Sequence, residues 1–103
     1  MFIQLMHRHY GVHTPIKHIE IPCDFNDVYL SDDKINEEIL TSNIPDGWLP
    51  KKPESILLAV VKDGITTGQT MLRKFRPWAK YFDSYVLEVM ENPEPWWNHD
   101  IKD

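Results

Sequence analysis

Apolar and polar residues alternate from the start of the chain. Between Phe2 and His9, Ile3, Leu5, His7 and His9 share one side of an extended backbone, and Phe2, Gln4, Met6 and Arg8 share the other. Ile16 to Ile21 alternates too, with Ile19 and Ile21 on one face. Gly11 to Pro15 supplies turn residues between them, so the two runs predict a β-hairpin. Matching the apolar faces sets Ile3 against Ile21, Leu5 against Ile19, His7 against Lys17 and Met6 against His18.

The pattern then loses its period over residues 24–31, a loop anchored by Phe25, Val28, Tyr29 and Leu30. Ser31 reads as the N-cap of a helix from Asp32 to about Thr41. Asp32 and Asp33 suit its first turn, where the helix dipole favours negative charge. Ile35, Ile39 and Leu40 face inward, and Asn43 and Pro45 end it. Residues 44–54 (IPDGWLPKKPE) form a loop pinned by Trp48 and Leu49.

Ser55 to Val61 (SILLAVV) is the most apolar run, short and ending in β-branched residues, as a buried strand does. Asp63-Gly64 fits the positive φ values of a type I′ turn, and Ile65 to Arg73 reads as the return strand. The competing reading of 55–73 is a helix opening at Pro53 and closed by Gly64. Trp78, Tyr81, Phe82, Tyr85, Val86 and Val89 recur at helical spacing, which predicts a long helix from Pro77 to Asn92 with Pro at its first position. These elements compose an α+β domain over residues 1–92, in the order ββαββα. It has an antiparallel sheet of about four strands and two helices packed on one face. Residues 93–103, rich in Pro and Trp, form an extended tail.

A chain of 103 residues, 42% hydrophobic, has room for one independently folding core. It contains no apolar run near the roughly 18 residues that span a membrane, and no basic segment leading into a long apolar stretch, so neither a membrane anchor nor a signal peptide is expected. Cys23 is the only cysteine. No internal disulfide can form, and the simplest setting is the cytoplasm.

Charge changes the picture more. The net charge is −5, and residues 24–38 hold six acids (Asp24, Asp27, Asp32, Asp33, Glu37, Glu38) against Lys34 alone. Arg73, Lys74, Arg76 and Lys80 form a smaller basic cluster. The overall sign disfavours nucleic acid as a partner. A solvated helix face with dipole-friendly acids is one reading of 24–38. The other is a surface that docks on a basic partner, through Asp32, Asp33, Glu37 and Glu38. Trp96 and Trp97 are the second candidate for partner binding. They join neighbouring copies into a homo-oligomer, or they fold back to seal the sheet.

Catalytic chemistry has little to stand on. Acidic neighbours raise the Cys23 thiol pKa and make it a poor nucleophile. No Gly-x-Ser-x-Gly elbow is present, and adjacent Glu37 and Glu38 diverge on a helix. Asp24-Phe25-Asn26-Asp27 starts like a calcium loop, but its sixth position is Tyr29 and its twelfth Ile35, where Gly and Glu are needed. His7 and His9 share a strand face and offer two imidazoles to a metal, with His13 or His18 as a third. In the matched register His18 faces away from both, so neither bound metal nor any other cofactor is expected. The residues favour a non-enzymatic interaction module: an acidic, cytosolic inhibitor or adaptor. Its size and charge suit inhibitors encoded by phage or mobile elements that act on a host system. The alternatives are a small metalloprotein using the histidines, and an assembly subunit joined through its Trp tail.

Overall fold

The alternating N-terminal segment forms the expected hairpin in the computed structural model, which describes residues 1–31, 34–51, 55–73 and 83–97. β1 (Phe2–His9) pairs antiparallel with β2 (Val12–Glu20). The turn is tighter than the spread of turn residues suggests. Tyr10 and Gly11 alone make it, with φ of 50° and 81°, the left-handed conformations of a type I′ turn. Val12 to Pro15 therefore belong to the strand. Pro15 is tolerated because β2 lies at the sheet edge, where a missing N–H breaks no ladder. Ile16 is bulged out between Pro15, opposite Met6, and Lys17, opposite Leu5. The register consequently sets Ile3 against Ile19 and Gln4 against His18. Between Ile3 and Leu5 that is a slip of two residues from the matched apolar faces, and an even slip leaves Lys17, His18 and Ile19 on their expected sides. Past the bulge the slip is three, with Met6 opposite Pro15 and His7 opposite Thr14, so the alternation of β2 reverses there.

The run at 55–61 is a strand, not a helix. β5 (Ser55–Lys62) returns through Asp63-Gly64, with φ of 54° and 79°, into β6 (Ile65–Arg73). The long helix expected at 77–92 is corrected by β7 (Asp83–Met90), an extended strand over the second half of that segment. Residues 74–82, which include Trp78, Tyr81 and Phe82, lie outside the described residues. The physical reason is visible in Tyr85, Val86, Leu87, Val89 and Met90. The segment is apolar on both sides rather than along one helical stripe, and its β-branched and aromatic residues suit a strand.

The fold is α+β with a five-stranded mixed sheet in the order β2-β1-β7-β5-β6. The expected four antiparallel strands gain a fifth, and β7 joins two antiparallel hairpins. It runs antiparallel to β1, with Leu5 opposite Leu87, and parallel to β5, with Leu58 opposite Leu87. The cap between the hairpins holds α1 (Phe25–Val28), the paired short strands β3 (Tyr29–Ser31) and β4 (Lys34–Ile35), and α2 (Glu37–Asn43).

The second helix starts later than Ser31. Asn36 is its N-cap, its side-chain oxygen accepting from Ile39 N–H at 3.2 Å, with Glu37 and Glu38 in the first turn. Asp32 and Asp33 fall outside the described residues. The Ile44 N–H donates to Thr41 O at 3.3 Å, closing the last turn before Pro45. Ile3, Ile56, Leu58, Val60, Leu87 and Val89 on one sheet face pack against Phe25, Val28, Leu40 and Ile44 of the cap and its exit. Trp48 and Leu49 close its rim, as their position in the crossing loop predicts.

Candidate functional site

The cap is anchored from beneath and charged on top. Asp24 caps α1, its carboxylate accepting from Asn26 N–H at 3.2 Å, and the Asn36 N–H donates to Val28 O at 2.8 Å, tying the two helices together. Phe25 and Val28 are buried below, and Phe25 stacks on Tyr29 with ring centres 5.5 Å apart. The Lys62 ammonium sits 5.3 Å from the Tyr29 ring centre, a cation–π contact that fastens β3 to the end of β5. With the apolar residues pointing down, Asp24, Asp27, Glu37 and Glu38 are all exposed on the outside. Leu30, on β3 in the same cap, is 59% exposed. The structure thus gathers Glu37 and Glu38 with Asp24 and Asp27 on one small unit.

It does not gather them with the tail. After β7 the chain turns through a 3-10 turn at Pro95–Trp97, and Trp97 folds back on the sheet face opposite the cap. Its indole is fully buried among Phe2, Val61 and Met90, and it stacks on His18 with ring centres 4.1 Å apart and planes 5° off parallel. Of the two roles open to the tryptophans, Trp97 takes the sealing one. The indole of Trp96 is outside the described residues. Trp97 and the acidic cap therefore lie on opposite faces of the sheet.

The histidines divide as alternation requires. His7 and His9 share the cap side of β1, beyond the cap, while His18 faces the other way under Trp97. The His7 and His9 rings are 6.2 Å apart and 16° from parallel. Tyr85 lies 5.6 Å from His7, and Tyr10 meets His9 edge-on at 4.5 Å. Among the described residues no three His, Cys, Asp or Glu side chains converge on one point.

Cys23 is half-buried, and burial is the main cause that pushes its thiol pKa up. The Met1 amino group opposes the shift, and Asp27 and Asp24 add to it. The expected direction holds, but desolvation rather than acidic neighbours dominates.

One polar pair was hidden from sequence reasoning. Gln4, 3% exposed, donates from Nε2 to Glu88 Oε1 at 2.9 Å across β1 and β7, on the Trp97 side of the sheet. Ala59 stands opposite Glu88 on β5 and leaves room for the carboxylate. The available signal was Gln4 itself, an amide between apolar residues of a buried strand.

Comparison with protein-family models, with curated proteins and with solved structures finds no match for this chain. No helix among the described residues is long and apolar enough to cross a membrane.

Proposed function

We propose that the protein is a non-enzymatic binding module, an inhibitor or adaptor of the cytoplasm that docks its acidic cap on a protein with a basic surface. The observation that carries the reading is the cap's construction. Four exposed acids, Asp24, Asp27, Glu37 and Glu38, and the exposed apolar Leu30 ride on a unit fastened to the core by Phe25, Val28 and Leu40. A rigid support, an apolar side chain and a charged surround are what a docking surface needs. Charge of one sign also steers encounter with a partner of the other.

The test is affinity capture from the protein's own cells with wild type and with a variant reversing Asp32, Asp33, Glu37 and Glu38 to lysine. Wild type retains a basic protein that the variant loses, while the two circular dichroism spectra coincide. The association rate with that protein falls steeply as salt rises. Equal capture by the reversed variant contradicts the acidic cap as the docking surface.

A further inference from the structure

We propose that the cleft between the β5–β6 turn and the chain leaving β7 receives a lysine or arginine side chain of the protein that docks on the cap. This rests on the reading of the cap as a docking surface for a basic partner, and it names where one basic side chain of that partner is anchored. Three observations carry it. First, the cleft is shaped and lined as a slot for a long amphipathic side chain. Val61 and Met90, both buried, form its floor, and Pro93 and Pro95 line its side. Its volume is about 170 Å³. That is below the roughly 300 Å³ at which pockets for whole small molecules begin, and it suits a single side chain. Lysine and arginine lay their methylenes on apolar surface of this kind and keep the charged head at the mouth.

Second, the mouth is acidic. Asp63, Glu91 and Glu94 line the cleft against one lysine, Lys62, whose ammonium sits over the Tyr29 ring. Carboxylates beside an apolar floor complement a basic head and repel an acidic one. Third, the cleft is continuous with the cap. Glu91 also lines the neighbouring cavity, together with Asp24 and Phe25 at the start of α1. On the other side, the Lys62–Tyr29 contact fastens the β5–β6 turn to β3. The walls are held in place. The floor belongs to the paired strands β5 and β7, and the Trp97 N–H donates to Glu94 O at 3.0 Å, closing the turn that carries Pro95.

Nuclear magnetic resonance titration of the isotope-labelled protein with an acetylated tri-arginine amide tests the proposal, with tri-citrulline as the uncharged control of similar shape. The expected result is saturable shifts concentrated in the amides of residues 61–64 and 91–92, absent with tri-citrulline and weaker as salt rises. Affinity for tri-arginine falls at least about tenfold in Glu91→Gln/Glu94→Gln. It falls several-fold in Asp63→Asn, which keeps the turn because asparagine tolerates the φ of 54°. Absence of these shifts at millimolar peptide overturns the proposal, and so do equal shifts with tri-citrulline or an affinity unchanged in Glu91→Gln/Glu94→Gln. Shifts of the same amides on raising protein concentration alone assign the cleft to a second copy and overturn it too. In affinity capture, a basic protein lost on reversing Glu37 and Glu38 but kept by Glu91→Gln/Glu94→Gln overturns the cleft and leaves the cap reading standing. Tri-arginine bound at the cleft, with capture indifferent to Glu37 and Glu38, overturns the cap reading and keeps the cleft.

Discussion

Under the cap, Ile3, Ile56, Leu58, Val60, Leu87 and Val89 join Phe25, Val28, Leu40 and Ile44 in one continuous apolar core. On the opposite side of the same strands, Met6, Ala59 and Val86 make one small cluster, and Val61, Met90 and Trp97 make another. The register places Gln4 and Glu88 in the row between those clusters. The first face is held by many aliphatic side chains of similar size, so its stability is spread. The second relies on one indole and one polar pair. The comparison teaches where single changes matter: loss of one large contact is felt most where few others share its task. The charged residues Glu37 and Glu38 of the cap belong to neither core.

The largest effect is expected from Trp97→Ala. Truncating a fully buried tryptophan typically costs about 3–5 kcal/mol, read as a lower urea midpoint. A midpoint equal to wild type would mean that the tail lies on the sheet without sealing it. Leu87→Ala, at the centre of the cap-side core, should cost about 2–5 kcal/mol by the same measurement. A much smaller loss there than at Trp97 sharpens the contrast between a spread core and a concentrated one.

The polar row gives the next effect. Gln4→Leu removes the donor from Glu88 and should destabilise by about 1–3 kcal/mol, since it leaves a part-buried carboxylate short of a partner. Adding Glu88→Leu should recover most of that loss, because replacing both partners with apolar groups is close to neutral. Additive losses in the double variant would show that the two side chains act independently.

Charge reversal of Glu37 and Glu38 should move stability least, by about 1 kcal/mol: both are exposed, but they sit in the first turn of α2, where the helix dipole favours negative charge. Cys23 gives a chemical counterpart. Its raised thiol pKa leaves less thiolate at pH 8, so a disulfide reagent should react more slowly with the native protein than with the urea-unfolded chain. Equal rates would place the thiol in open solvent.

These contrasts also explain what the sequence disclosed. The first hairpin was legible because one apolar face meets the core and alternation survives the two-residue slip of register between Ile3 and Leu5. The second was legible from Asp63-Gly64 and an unbroken apolar run. The segment at 83–90 was not. A strand buried on both faces loses its alternation, and Tyr85, Val86 and Val89 then match a helical stripe by position alone. Glu88, the polar residue within that run, finds its partner in Gln4, 84 residues away in sequence. For the candidate sites, alternation separated His18 from His7 and His9 without a structure. The inward fold of Trp97 was not readable, because Pro93 and Pro95 stop an element without saying where the chain goes next.

All of this rests on residues 83–90 being the strand that both faces share. Nuclear magnetic resonance tests it most directly. The account predicts Cα shifts of strand sign through Asp83–Met90, with contacts from the Leu87 methyls to those of both Leu5 and Leu58, its neighbours on β1 and β5. Helical Cα shifts there, with contacts from Tyr85 to Val89 and none from Leu87 to Leu5, would contradict it.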